Sequence, residues 1–241
     1  MNKIIVTMPV ANEEATMASI LDRILNLPFE NLYVYPVMDK YSTDSTESII
    51  DEYEIKTNHR VHKVFFEQST GTASCYMKGY EEALKDGAEF VIEMDGGGSH
   101  SPEEIPKFIE MLEQGYACVW GSRFIDGGLD DNMPFYRRFL SRGGTFLANF
   151  VLHTKLYDMT SGFEAYQADV LRQFDYSKFL SKGHMFQTEM RYYCRNCHGI
   201  EIPIHYVGSS SSLKASTVTR ALSILFKLKA NETRVKKQPS T

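Results

Sequence analysis

The chain has 241 residues, 43% hydrophobic and 24% charged, which suits a globular protein with a sizeable core and excludes a disordered or fibrous one. Its net charge of −5 is unevenly spread: from Leu213 onward seven basic residues face one acid, so that stretch carries +6 and residues 1–212 carry −11. An acidic body argues against general nucleic-acid binding, and the basic end argues for a local anionic partner such as a membrane face.

The first predicted element is a strand, Lys3 to Thr7, with no signal peptide before it. Apolar spacing at Met17, Ile20, Leu21, Ile24 and Leu25 predicts a helix over Glu13 to Leu25. Strands follow at Leu32 to Val37 and Val61 to Phe66, with a helix over Ser45 to Tyr53 between them. A helix over Thr72 to Lys85 places Tyr76, Gly79, Tyr80 and Leu84 on one side. Phe90 to Met94 reads as a buried strand, Pro102 to Leu112 as a helix and Ala117 to Trp120 as a strand. These strand–helix repeats predict a layered α/β fold with a parallel sheet and right-handed crossovers.

Beyond Trp120 the pattern changes. Residues 121–134 read as loop and 135–155 as a helix carrying Arg137, Arg138, Arg142 and Lys155 without an acid. Asp158 to Gly162 is a turn, Phe186 to Arg195 a helix, Ile200 to Tyr206 a strand and Ala215 to Lys229 a last amphipathic helix. Residues 231–241 read as disordered. The simplest division is one domain over 1–212 and a basic amphipathic appendage over 213–241. No apolar run reaches the ~20 residues of a spanning helix, so a cytoplasmic location is expected. Cys194 and Cys197 form a lone C-x-x-C without a second pair at zinc spacing, which argues against a metal or redox role, and Cys118 reads as core.

Three segments carry candidate chemistry. Met94-Asp95-Gly96-Gly97-Gly98-Ser99-His100 ends a strand in a carboxylate and three glycines, where another molecule can approach the backbone. The plainer reading is a tight turn. In a parallel sheet Glu13, Asp39 and Asp95 all fall at one edge, and carboxylates gathered there call for a cation or hydroxyls. One of Asp39 and Asp44 is expected simply to cap the following helix. No G-x-G-x-x-G or G-x-x-x-x-G-K-[ST] is present, which disfavours a dinucleotide dehydrogenase and excludes a P-loop. Phosphates would then need other partners, and Arg123, Arg137, Arg138 and Arg142 are candidates.

Several motifs, in order, resemble the inverting family 2 glycosyltransferases. Pro9-Val10-Ala11-Asn12-Glu13 resembles their P-x-x-N-E, and Asp39-Lys40-Tyr41-Ser42-Thr43-Asp44-Ser45-Thr46 their D-D-x-S-x-D-x-T. Gly71-Thr72-Ala73 and Met94 to His100 are similar to G-T-A and M-D-x-D-x-S-H of the polyprenyl-phosphate mannosyl- and glucosyltransferase branch. Gly121 to Phe124, Arg138 to Arg142, Asp158 to Phe163, Phe186 to Glu189 and Glu201 to Ile204 continue the series. The resemblance implies a GT-A fold and a nucleotide-diphospho-sugar donor, UDP- or GDP-linked. It implies that Pro9, Ala11, Glu13 and Asp39 contact the nucleoside. Asp95, with Ser99, would meet the diphosphate through a divalent metal, Mg2+ or Mn2+. Arg123, Arg142 and Lys214 would face phosphate.

The implied reaction is transfer of a hexose with inversion. The acceptor is a polyprenyl phosphate, which needs no base, or a hydroxyl, which needs Asp158 or Glu189 to take its proton. Asp158 reads equally as a turn residue and Glu189 as a solvated helix face. The arginine-rich helix and the last helix could both lie in a membrane interface, or pack on the body or in a dimer. Departures exist: Gly97 replaces the second aspartate of D-x-D, Lys40 replaces the second of D-D, and Lys214 alone remains as phosphate clamp after Tyr206. They leave open a nucleotide-sugar-binding protein without catalysis; a nucleotidyltransferase ranks below it, because no glycine-rich basic loop follows the first strand.

Overall fold

The computed structural model describes residues 2–131, 133–183, 185–208 and 215–235, without the side chains of 215–220, 229 and 233. The strands are β1 (Ile4–Val10), β2 (Leu32–Met38), β3 (Val64–Phe65), β4 (Phe90–Glu93), β5 (Cys118–Ser122), β6 (Glu164–Gln167) and β7 (Gly199–Pro203). The helices are α1 (Met17–Leu25), α2 (Thr46–Lys56), α3 (Thr72–Lys85), α4 (Ile105–Glu113), α5 (Phe135–Leu152), α6 (Ala168–Arg172), α7 (Phe186–Cys194) and α8 (Ala215–Val235).

The seven strands among the described residues form one sheet in the order β3-β2-β1-β4-β6-β5-β7. The predicted repeats account for the parallel pairs β1–β2, β1–β4 and β2–β3, and β5 pairs β7 in parallel as well. The sequence reading lacks β6, which runs antiparallel between β4 and β5. Its buried acid Glu164 breaks the apolar run that signals an interior strand.

Two apolar layers cover the sheet. One holds Met17, Ile20, Leu21 and Ile24 of α1 with Ile105, Phe108, Ile109 and Leu112 of α4. The other holds Tyr76 and Tyr80 of α3, Leu152 of α5 and Phe186 and Met190 of α7. Each such side chain contributes roughly 1.5–3 kcal/mol over its exposed state. Helix α3 lies so close to β1 that a Cβ on Gly79 would stand 1.8 Å from Thr7 Oγ1.

Helix α8 runs to Val235, so the disorder expected from residue 231 does not hold for 231–235. Asn231 donates to the Lys178 carbonyl at 2.7 Å, and Glu232 pairs with Arg195 at 2.9 Å. These polar groups are spent on the body, which composition alone does not reveal. No helix among the described residues is long and apolar enough to cross a membrane.

Candidate active site

The sheet brings the expected acids to one edge. Val10 stands beside Met38 and Thr7 beside Glu93, so the segments after β1, β2 and β4 leave the sheet on the same side. A cleft of about 860 Å³ opens there, bordered by Pro9, Glu13, Asp95, Ser99, His100 and Arg123. The lining from α5 and α8 is largely apolar, with Leu140, Leu147, Ala148, Leu222 and Leu225, and it also includes Arg137 and Ser141 of α5.

The β1 and β2 loops are stitched together. Asn12, in a left-handed backbone conformation (φ 59°), accepts from the Thr43 N–H at 2.9 Å. The Glu13 N–H donates to Thr46 Oγ1 at 2.8 Å. Ser45 is the N-cap of α2 without a side-chain cap bond, and Asp44, just before it, accepts from the Thr46 N–H at 3.0 Å. Asp39 is held differently, accepting from the Tyr41 N–H at 3.0 Å and the Ser69 hydroxyl at 3.1 Å. Asp39 and Ala11 lie at this sheet edge but outside the cleft's lining. Lys40, the reversed charge, is exposed with its ammonium 5.6 Å from the Tyr41 ring centroid.

Asp95 is fixed from behind. The Tyr76 hydroxyl donates to its Oδ1 at 2.7 Å, and its own N–H donates to His100 Nδ1 at 3.1 Å. An accepting Nδ1 leaves the proton of a neutral imidazole on Nε2. Burial lowers the His100 pKa, against the pull of Asp95 and with a further push from Arg123, so the ring is neutral. Its buried Nε2 is 3.9 Å from Asp95 Oδ2 and has no hydrogen-bond partner among the described residues. Sequence reasoning assigned no role to Tyr76 or His100; the position of His100 inside the quoted motif was the available signal.

The Glu13 carboxyl has its pKa raised, by burial first and by Asp95 and Asp44 beyond what the Thr16 hydroxyl offsets. The three glycines that follow Asp95 differ in kind. A Cβ on Gly96 would stand 2.5 Å from Val10 Cγ1, and Gly98 has φ +78°. A Cβ on Gly97 would meet only Glu13, at 3.0 Å from Oε1. Glu13 therefore borders the place of the missing second aspartate.

Arg123 follows β5 and reaches the cleft. Its Nε and Nη2 clamp the two oxygens of Asp158 at 2.7 and 2.9 Å, and Nη2 also donates to Thr160 Oγ1 at 2.6 Å. Burial alone would raise the Asp158 carboxyl, but the Arg123 guanidinium overrides it and holds the pKa at about 2. Asp158 is fully buried and outside the lining, so its geometry is that of a brace for Arg123 rather than of a base. Glu189 is not a solvated face. It is fully buried and accepts from the N–H groups of Leu180 and Ser181 at 2.9 and 2.8 Å and from the Tyr193 hydroxyl at 3.0 Å. Neither expected base reaches the cleft. Arg142 is exposed, 4.8 Å from the Phe124 ring centroid, with Arg123 at 4.9 Å from the same ring. Lys214 lies outside the described residues.

The model of glycosyl transferase family 2 matches residues 5–174. The chain belongs to that family. This glycosyltransferase is 29% identical over 225 residues to polyprenol monophosphomannose synthase of Mycolicibacterium smegmatis, covering 90% of this chain and 83% of the relative. It is 30% identical over 207 residues to undecaprenyl-phosphate mannosyltransferase of Micrococcus luteus, covering 85% and 84%. The fold is similar to that of glucosyl-3-phosphoglycerate synthase from Mycobacterium tuberculosis, solved with Mn2+, UDP-glucose and glycerol 3-phosphate. The TM-score is 0.69 at 16% identity, covering 96% of this chain and 80% of that one. The GT-A architecture expected from the motifs is thus present.

Beside the cleft lies a second group that the motifs did not announce. Glu93 and Glu164 stand opposite each other on β4 and β6, both fully buried. Arg191 donates to Glu164 at 2.6 Å, Gln187 to Glu93 at 2.8 Å, and the Tyr80 hydroxyl also reaches Glu93. Burial, then the facing Glu164, pushes the Glu93 pKa well above the ordinary carboxyl value. Gln187 carries this network into the cleft lining.

Proposed function

We propose that this enzyme transfers a hexose, mannose by analogy with its relatives, from a nucleotide-diphospho-sugar to a polyprenyl phosphate at a membrane face. The observation that carries the proposal is the two-sided cleft. One part of its lining is acidic and hydrogen-bonding, and the part from α5 and α8 is largely apolar, with Arg137 as its charged member. The apolar flank continues outward on α5, where Phe139, Phe146 and Phe150 are 69%, 74% and 72% exposed. Such a face beside a phosphate-sized polar site suits an acceptor with an anionic head and a hydrocarbon tail. We propose that α5 and α8 meet the bilayer peripherally, with residues 1–212 as the transferase unit and the basic stretch 213–241 supporting that contact.

The residues at the polar wall fit a hard divalent cation. Asp95 Oδ2, the Glu13 carboxylate and the Ser99 hydroxyl are oxygen donors, and the mutual repulsion of Glu13 and Asp95 is what a cation relieves. When bound, the ion would neutralise the donor's diphosphate as it departs. Asp95, fixed by Tyr76, orients that end of the donor. Neutral His100 offers its Nε2 proton to a phosphate oxygen, and Arg123 offers fixed positive charge. Asp39 stands where the β2 loop can meet a ribose.

An acceptor phosphate oxygen attacks the anomeric carbon as the bond to the diphosphate breaks, and the nucleoside diphosphate leaves with the bonding pair. The attacking oxygen is already anionic, so no base is required. This agrees with the full commitment of Asp158 and Glu189 elsewhere. The test is transfer of labelled hexose from GDP- and UDP-sugars, with Mg2+ or Mn2+, to polyprenyl phosphate, to the same polyprenol without phosphate, and to soluble hydroxyl acceptors. Product is expected with the lipid phosphate alone. Turnover on the hydroxyl acceptors but not the lipid phosphate overturns the proposal, and donor binding without any transfer returns the reading to a binding protein.

A further inference from the structure

The C-x-x-C pair has a third thiol beside it. Cys194 ends α7, Cys197 sits in the following turn, and Cys118 is the first residue of β5. The Cys197 N–H donates to the Cys194 carbonyl at 2.9 Å and closes the turn. The parallel register then sets Cys118 beside Gly199, two residues past Cys197. As a result the three sulfurs all lie within 4.8 Å of one another. No sequence spacing foretold this, because Cys118 is more than seventy residues away. Cys118 and Cys194 are fully buried, whereas Cys197 is half-buried and opens the group to solvent on one side.

We propose that this cluster is a binding site for one thiophilic d10 cation, of which Zn2+ is the natural probe. Thiolates about 2.3 Å from such an ion stand roughly 4 Å apart, so the sulfurs need only small shifts to close on it. Each sulfur gives up its proton to solvent as its bond to the metal forms, and the three thiolates supply the charge that a soft ion prefers. No fourth His, Cys, Asp or Glu joins the group among the described residues, so a water on the Cys197 side completes the shell.

The site is separate from the donor cleft in place and in chemistry. It lies at the start of β5, while Arg123 follows the end of that strand. Its sulfur donors contrast with the oxygen donors around Asp95. Its position gives it a structural consequence. Arg195, between the two cysteines of the pair, bonds Glu232 of α8 at 2.9 Å. Helix α7 ends at Cys194 and begins beside Gln187 and Thr188, which border the cleft. A bound ion would fasten β5, α7 and the α7–β7 turn together at the end remote from the chemistry.

The experiment uses the full chain, reduced and stripped of metal. Cd2+ is titrated while the near-ultraviolet thiolate-to-metal absorbance is followed, Zn2+ is then added as competitor, and thermal unfolding is recorded with and without Zn2+. The expected result is a band that saturates at one ion per chain, is displaced by Zn2+ and accompanies a rise in Tm. Cys118→Ser should weaken Cd2+ binding by roughly tenfold or more. His62→Ala should leave binding unchanged; it removes one member of the separate Glu54, His59 and His62 group. Equal Cd2+ affinity in Cys118→Ser, Zn2+ binding without the band, or a Cys194–Cys197 disulfide whose reduced form binds no ion would each overturn the proposal.

Discussion

Replacing Asp158 by Asn keeps the shape of the side chain and removes the charge that faces Arg123. The ordinary carboxyl value of 3.8 falls to about 2 in the fold, and at 1.36 kcal/mol per unit this is about 2.5 kcal/mol of stability, to order of magnitude. No discount for solvent applies, since Asp158 is fully buried. Arg123, only 7% exposed, would also be left without its counter-charge, and breaking one side of a buried pair costs about 3–5 kcal/mol. The loss expected for Asp158→Asn at pH 7 is therefore about 2–5 kcal/mol. The sign with pH follows from the depressed pKa. The contribution is present above the unfolded value of 3.8 and lost as pH falls through about 2, so the deficit of the variant shrinks in acid. Urea unfolding at pH 7 and pH 3 measures both, and Arg123→Met with the double variant completes a cycle. In the transfer assay the variant should raise the donor KM, because the displaced group is Arg123. A stability loss below about 0.5 kcal/mol, or a fall in kcat with donor KM unchanged, would refute the brace and restore Asp158 as a base.

Four further outcomes are expected. Asp95→Asn should abolish transfer and weaken Mn2+-dependent donor binding in calorimetry while the fold survives, since the Tyr76 hydroxyl can still donate to the amide oxygen. Glu93→Gln mimics the protonated acid; because the raised Glu93 pKa makes its stability drain away as pH rises above the unfolded value of 4.5, the variant should show a flatter Tm-against-pH curve from pH 5 to 8. An unchanged slope would mean that Glu93 is not the group that titrates. Gly79→Ala should destabilise by about 1–3 kcal/mol in chemical denaturation, and Thr7→Ala in the same chain should recover part of that loss by removing the hydroxyl 1.8 Å from the new Cβ. Phe146→Ser with Phe150→Ser should reduce sedimentation with anionic vesicles and leave soluble donor binding intact; unchanged sedimentation would remove α5 from the membrane contact.

Much of the acidic side of the cleft was legible in the sequence. Periodicity located six of the seven strands and placed Glu13, Asp39 and Asp95 at one edge, because strand ends in a parallel sheet are fixed by topology. What escaped was set by contacts distant along the chain. Glu164 has no role legible in the sequence, because its register with Glu93 and its bond to Arg191 join distant segments. Glu189 reads as solvated until the loop at Leu180 and Ser181 folds over it. Asp158 keeps a turn residue's bond to the Thr160 N–H, at 3.0 Å, and also braces an arginine thirty-five positions away. Only the first half of that is local. Periodicity shows Tyr76 only as a member of one side of α3, with Gly79, Tyr80 and Leu84, and its hydroxyl acquires a purpose only where β4 ends.

The run Gly96-Gly97-Gly98 looks uniform in print and is not. Its first member is wedged against Val10 and its last adopts a backbone shape that other residues resist. The middle one is hemmed in only by the tip of a side chain that can swing aside. One exchange at that middle position would set a second acid in the loop, with the backbone undisturbed. The grip on the proposed cation is thereby adjustable at a single position, independently of the fold that holds the loop.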